Sequence, residues 1–313
     1  MTHDAVLLIA FGGPTSAEEI RPFLERVVRG RNVPPERLAQ VEQNYIQIGG
    51  RSPLLDITRR QAHRLRWELA ARELPLPVYV GMRNWHPFLD ETLAAMWRDG
   101  VRRAVGIILS PLQSPAGWQR YMDDVAEASA ALNGKAPAVD FAPPWAAHPL
   151  YIEAMSCRVA QALAQISEAG RAQAEVVFTA HSLPVEMAAH SPYEAELRAV
   201  AKQVAGRLGH SRFSVAYQSR SGPPQEPWLE PDIGVQLKRL AERGVRDVVV
   251  APVGFVCDHV EVLYDLDVVA SHVARELGLV FVRAQAANEH AAFIGMLADL
   301  VCHVATAKGG EQR

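Results

Sequence analysis

At 313 residues, 49% hydrophobic and 21% charged, the chain has the composition of an ordinary globular protein and is long enough that a single core would be expected to split into two domains. A formal net charge of −3 gives no reason to expect nucleic acid as a partner, and no stretch approaches the ~18 consecutive apolar residues of a membrane span. Cys157, Cys257 and Cys302 are far apart and in no Cys-x-x-Cys pattern, which argues against a disulfide framework, a zinc ribbon or an iron–sulfur cluster, although Cys257 lies beside a motif of interest.

In chain order, the first element is an apolar run at 5–11 (AVLLIAF), entered without a basic, signal-like leader, so a cytoplasmic location is expected. Further strand-like runs follow at 77–82, 103–110, 174–180, 213–219 and 245–255, separated by amphipathic helical segments such as 87–99, 118–132, 193–208 and 231–243. Strands alternating with helices predict a parallel α/β architecture. The weakest point is the proline- and alanine-rich stretch 136–150, where the domain boundary is placed: 1–145 and 146–313, the last helix being free to pack back on the first domain. A faint repeat supports two doubly wound halves, because VLLIAFGGP (6–14) and VVFTAHSLP (176–184) both run from strand to turn to proline. Facing halves would line one cleft with the carboxyl ends of both sets of strands.

Two stretches carry candidate chemistry. The run VVFTA stops on His181, at the strand end where open α/β sheets bind ligands. Imidazole can carry a proton or bind a metal there, and it can equally satisfy backbone groups at the strand end; from this stretch alone the two readings are on a par. The second stretch, APVGFVCDHVEVLYDLD (251–267), leads from a strand into an acidic helix. Helical spacing puts Glu261 and Asp265 one turn apart on one face, with Asp267 pointing elsewhere. Paired surface acids are commonly just solvated, but His181 and Glu261 could meet at the cleft mouth as a sparse site for an exchangeable divalent first-row metal.

The segments LIAFGGP (8–14), GGRSPL (49–54), GMRNWHPF (81–88), TAHSLP (179–184), YQSRSGP (217–223), PWLEPD (227–232) and PVGFVCDHVEVLYDLD (252–267) together resemble the ferrochelatases, which insert ferrous iron into a porphyrin. The resemblance runs over essentially the whole chain, and seven segments in the family's order make it specific. It implies two Rossmann-like domains, each a parallel sheet flanked by helices, with the porphyrin cleft between them. It also implies porphyrin and ferrous iron as substrates, with no permanently bound cofactor, no iron–sulfur cluster and a monomeric enzyme of heme biosynthesis. His181 matches the family's histidine, as metal ligand, acceptor of pyrrole protons or both, and Glu261 the glutamate facing it across the ring. Such a pair suits the reaction, in which two pyrrole N–H protons leave while the metal sheds its waters.

For propionate anchoring the family pattern points to Arg29, Arg31, Ser52 and Tyr121, arginine being well matched to carboxylates. One of the two arginines has an equally good reading as a cation complementing its helix end. Arg83 and Asn84 follow a strand and are placed on the metal-entry side, Asp265 as a relay carboxylate, and Trp85 and His86 as packing residues. Phe11 replaces a tyrosine that some small bacterial members carry near the metal, and Val269 an additional acid. The segment 110–124 has only Leu112, Pro115, Ala116 and Trp118 to offer lipid, whereas members that take protoporphyrin from a membrane present a longer apolar lip. This points to coproporphyrin III, whose extra propionates would call on Ser114 and Tyr121. The competing readings are a cobalt or nickel chelatase of the same fold and a non-catalytic tetrapyrrole carrier. A dinucleotide oxidoreductase would need a Gly-x-Gly-x-x-Gly turn that AFGGPTSAEE does not supply.

Overall fold

The computed structural model describes residues 2–30, 33–222 and 225–306. The first half comprises β1 (Ala5–Ala10), α1 (Ile20–Val27), α2 (Pro35–Gln47), α3 (Leu54–Ala71), β2 (Val78–Met82), α4 (Leu89–Arg98), β3 (Arg103–Ile108), α5 (Arg120–Ala131) and β4 (Ala138–Phe141). Then come α6 (Pro149–Leu163), α7 (Glu168–Arg171), β5 (Glu175–His181), α8 (Val185–Ala189), α9 (Tyr193–Arg207), β6 (Phe213–Gln218), α10 (Ile233–Glu242) and β7 (Asp247–Ala251). The chain closes with α11 (Val260–Val262), a π-helix at Leu263–Ala270, α12 (Ser271–Glu276), β8 (Val280–Arg283) and α13 (Ala291–Thr306).

The strands form two four-stranded sheets, ordered β2-β1-β3-β4 and β6-β5-β7-β8, and every pairing is parallel. The central strands β1 and β5 are buried along their lengths apart from His181, as an apolar run covered on both faces must be. The expected α/β architecture is therefore present. The sequence reading missed β4 and β8, each only four residues long and half-exposed, because an edge strand need not bury both faces. The stretch 136–150 is thus not all crossover, since Ala138–Phe141 pairs with β3. The run 245–255 is strand only to Ala251, because Pro252 has no N–H to extend the ladder. The expected helix 118–132 opens as a π-helical turn at Pro115–Gln119 before α5.

A continuous apolar core joins the halves. It runs from β1 through Leu65 and Leu69 of α3 to Phe293, Leu297 and Val301 of α13, then through Tyr151 and Met155 of α6 to Phe178 of β5. Polar ties reinforce this seam: Arg72, which caps the end of α3, donates to Asp299 on α13 at 2.5 Å, and His148, which caps α6, approaches the same carboxylate at 3.6 Å. The α1–α2 hairpin has a small core of its own (Ile20, Phe23, Leu24, Leu38, Tyr45), against which Val260 of the second half packs. The hairpin thereby covers the loop that follows β7.

Two glycines make this arrangement possible. Gly12, just after β1, has φ +91°, and a Cβ there would lie 2.9 Å from the Trp85 amide nitrogen. Gly254, just after β7, donates its N–H to Thr179 at 2.9 Å, and a Cβ there would stand 2.5 Å from that of Ala180. Only glycine lets the loop leaving β7 pass so close to the end of β5, and this brings the residues that follow it beside His181.

Candidate active site

His181 is the last residue of β5, level with Gln218 at the end of β6. Its Nδ1 contacts the Ser182 carbonyl, which can only accept, so Nδ1 is the donor there and the neutral imidazole has its lone pair on Nε2. Nε2 lies 3.7 Å from Oε1 of Glu261. That is too long for a hydrogen bond, yet within the span of two ligands each ~2.1 Å from a common first-row ion. Both side chains are partly open, 26% and 36% exposed, so a metal or a pyrrole nitrogen can reach them.

Glu261 sits in α11, where His259 caps the turn by accepting its N–H at 3.2 Å. Gln218 donates to the Glu261 carbonyl at 2.5 Å, while its own Oε1 is buried with no partner. One turn on, Asp265 accepts from the Ser219 hydroxyl. Burial pushes the Asp265 carboxyl up to about 6, and the Glu261 charge acts in the same direction against the Ser219 hydrogen bond. Burial holds His259 below the usual imidazole range, so it favours the neutral form. Burial likewise pushes the Cys257 thiol up, which leaves this cysteine a packed, unreactive thiol beside the motif.

The first half presents a second cluster. Arg83 pairs with Asp124, lies 4.5 Å over the Tyr121 ring and 5.8 Å from the ring centre of Phe11. Asn84 donates from its side chain to the Phe11 carbonyl at 3.1 Å. Burial pushes the Tyr121 phenol up to about 12 against the opposing pull of Arg83, and the Glu261 charge raises it further. Tyr45 of the hairpin is also raised by burial and by Glu261. The field of Glu261 therefore reaches tyrosines carried by the opposite half.

The structure brings together His181, Glu261 and Asp265, and in the facing cluster Phe11, Arg83, Asn84 and Tyr121. The expected anchors elsewhere are placed differently. Ser52 is buried under Gly13, accepts the Leu54 N–H at 3.3 Å and borders a cavity of about 350 Å³ with Arg51, Arg59 and Trp85. Ser114 caps the π-turn by accepting the Gly117 N–H at 2.9 Å. Each hydroxyl still has its own proton to donate. Arg29 is exposed just beyond α1, and Arg31 lies outside the described residues. Trp85 packs at 6.0 Å from Phe23 as expected; His86 does not join the core but stays exposed, paired with Glu91 at 3.0 Å. Asp267 turns away from His181 toward Arg283, as the helical spacing indicated. Sequence reasoning passed over Gln218, Ser219 and His259. Their signal was available: polar residues at the end of a strand and just after it, and a histidine placed to cap the turn that carries Glu261.

The ferrochelatase family profile matches residues 3–305. The coproporphyrin III ferrochelatase of Mycolicibacterium smegmatis is 42% identical over 304 residues, covering 96% of this chain and 89% of that protein. The protein of the same description from Mycobacteroides abscessus is 41% identical over 307 residues, covering 97% and 89%. Among solved structures, CbiX, described as the terminal enzyme of siroheme biosynthesis in denitrifying bacteria, superimposes with a TM-score of 0.57 at 15% identity, covering 97% of this chain and 100% of that one. SirB from Bacillus subtilis with Fe3+ gives 0.57 at 10% identity, covering 96% of each. At such low identity these two likenesses speak for the fold alone.

Proposed function

The chain belongs to the ferrochelatase family, and from that premise we propose that it inserts ferrous iron into coproporphyrin III, with His181 and Glu261 as the working pair. Insertion of iron into a porphyrin is the family's reaction. The assignment of roles and of the particular porphyrin is our reading.

The observation that carries the site assignment is the 3.7 Å approach of Nε2 of His181 to Glu261, the imidazole held with its lone pair outward. Ferrous iron must shed water as the ring nitrogens replace it, and two pyrrole protons must leave. Glu261 offers a charged oxygen to the arriving ion, and His181 a base that takes a proton. Because the pair supplies only two donors, the remaining coordination positions stay open to water and then to pyrrole nitrogen, which suits an ion in transit. Asp265, poised near pH 6 and one turn further on, is placed to take protons onward. Opposite them, Phe11 offers a partly exposed ring and Tyr121 and Arg83 a rigid wall.

Coproporphyrin III is favoured on two grounds. The relatives at about 42% identity carry that name. In addition, Leu112 and Trp118 of segment 110–124 are buried in the core and Met122 packs partly against it, which leaves Pro115 and Ala116 exposed to meet lipid. Among the described residues, no helix is long and apolar enough to cross a membrane. We take the enzyme to be a cytoplasmic monomer that needs no resident cofactor.

Anaerobic turnover with ferrous iron and either porphyrin in detergent-free buffer tests the substrate. A charge-assisted contact is worth ~1.5–3 kcal/mol, so coproporphyrin III is expected to exceed protoporphyrin IX by about 10-fold or more in kcat/KM. Added salt should narrow the gap, since it screens the more highly charged substrate more. A clear preference for protoporphyrin IX would overturn this reading.

A further inference from the structure

The segment from Asp258 to Asp267 carries four carboxylates, and the two that point away from His181 have a common partner. Arg283, at the carboxyl end of β8 and level with Val250 of β7, is 14% exposed and extends its guanidinium between them. Its Nη1 donates to Asp258 at 2.9 Å. Its Nε and Nη2 grip both oxygens of Asp267, at 2.6 and 2.9 Å. Asp258 is further fixed by Asn288, which donates to its carboxylate at 2.8 Å and accepts its backbone N–H at 2.9 Å, and by the Ala286 N–H at 3.1 Å.

We propose that Arg283 is a positioning residue for metal insertion: by clamping Asp258 and Asp267 together it sets the arch that holds Glu261 opposite His181, and it commits those two acids so that Glu261 and Asp265 are the carboxylates available to the ion. This rests on the assignment of Glu261 given above. Geometry supports the first part, since the clamped residues lie on either side of Glu261 and Asp265, three residues before the one and two after the other. Charge supports the second. Four acids in ten residues repel one another, and a single fork-shaped cation satisfies the two outer ones. Lysine could neutralise one of them but lacks the planar fork to hold both.

The test compares Arg283→Lys, Asp267→Asn and Glu261→Gln in the full chain, measuring kcat with ferrous iron and, separately, porphyrin affinity by fluorescence titration. Arg283→Lys should lower kcat ~10-fold or more, because sub-ångström misplacement of a reacting group is that costly, while porphyrin affinity stays within about two-fold. Asp267→Asn, which weakens one arm only, should lower kcat less, with the same unchanged affinity, and it serves if the lysine variant does not fold. If both variants turned over within two-fold of wild type while Glu261→Gln was crippled, the clamp would be wrong and the assignment of Glu261 would stand. If Glu261→Gln were itself close to wild type, that assignment would fail. Slow Arg283 variants beside an active Glu261→Gln would refute the clamp's action through Glu261. Parallel losses of kcat and porphyrin affinity would mean a merely structural role.

Discussion

The two halves of this enzyme present the same architecture and different chemistry at equivalent points. In each, a buried central strand lies second in a four-stranded parallel sheet and runs into a turn that ends on proline. Aligned through VLLIAFGGP and VVFTAHSLP, Phe11 of the first half stands where His181 stands in the second. Phe11 is 38% exposed, an apolar ring at a strand end, and its neighbours Arg83 and Tyr121 form a packed wall. His181 has Glu261 and Asp265 beside it and a lone pair facing outward. The repeated architecture presents the carboxyl end of a buried central strand in each half, the place where open α/β sheets bind ligands. On the proposed assignment, what would separate a binding wall from a reactive edge is one residue at the strand end, together with Gly254, which lets an acidic loop approach it.

This contrast predicts that changes in the second half act on turnover and changes in the first half on substrate binding. His181→Ala is the most severe test. Removing a positioned proton-transfer group costs ~10²–10⁴-fold, so kcat should collapse by that much while porphyrin affinity, followed by fluorescence, stays close to wild type. Turnover within a few fold of wild type would erase the division of labour. Phe11→Ala should show the opposite pattern. Loss of a ring face that can lie against the macrocycle should raise KM for porphyrin ~3–10-fold, since one aromatic contact is worth roughly 0.5–1.5 kcal/mol, with kcat nearly unchanged. A kcat effect exceeding the KM effect would place Phe11 in the chemistry.

Asp265→Asn gives a smaller signal that sharpens the contrast within the second half. It should reduce turnover less than loss of His181, because in the proposed scheme Asp265 acts as a relay, one turn beyond Glu261 and hydrogen-bonded to Ser219. It should also alter stability with pH. The folded protein raises the Asp265 carboxyl from its ordinary 3.8 to about 6, so folding favours the protonated form. Below pH 4 the group is protonated in both states and costs nothing. The penalty grows as pH rises from 4 to 6 and is complete above that. The asparagine variant of the metal-free protein should therefore melt higher than wild type at pH 7.5, by about 1–2 kcal/mol after allowing for partial solvation, and match it near pH 4. An equal gain at both pH values would show that the carboxylate is not under strain.

Much of this organisation could be read from residue order. Buried parallel strands demand uninterrupted apolar runs, so β1 and β5 were legible, and with them the polar residue that ends β5. Glu261 was legible as an acid in the first turn after a strand. β4 and β8 were not, because AVDF and VFVR are too short and too half-exposed to show a period. Nor was the π-helix at Leu263–Ala270, whose residues fit an α-helical repeat equally well. Ser52 and Ser114 illustrate a further limit: a serine gives the same signal whether its hydroxyl faces a ligand or caps a turn, and here each hydroxyl accepts a backbone N–H. The role of Asp267 depended on Arg283, sixteen residues away and on another strand.

The seam made by α13 has a bearing on biosynthesis. Arg72 must wait for Asp299, 227 positions downstream, and the apolar faces of α3 and α6 remain uncovered until Phe293, Leu297 and Val301 have been made. A ribosome that has completed the first sheet has thus produced a nascent chain with an open apolar flank. Contacts of such long sequence separation close late and slowly, and the interval exposes the chain to aggregation. Final closure waits until the residues of α13 have left the ribosome, when that helix can dock across both halves at once.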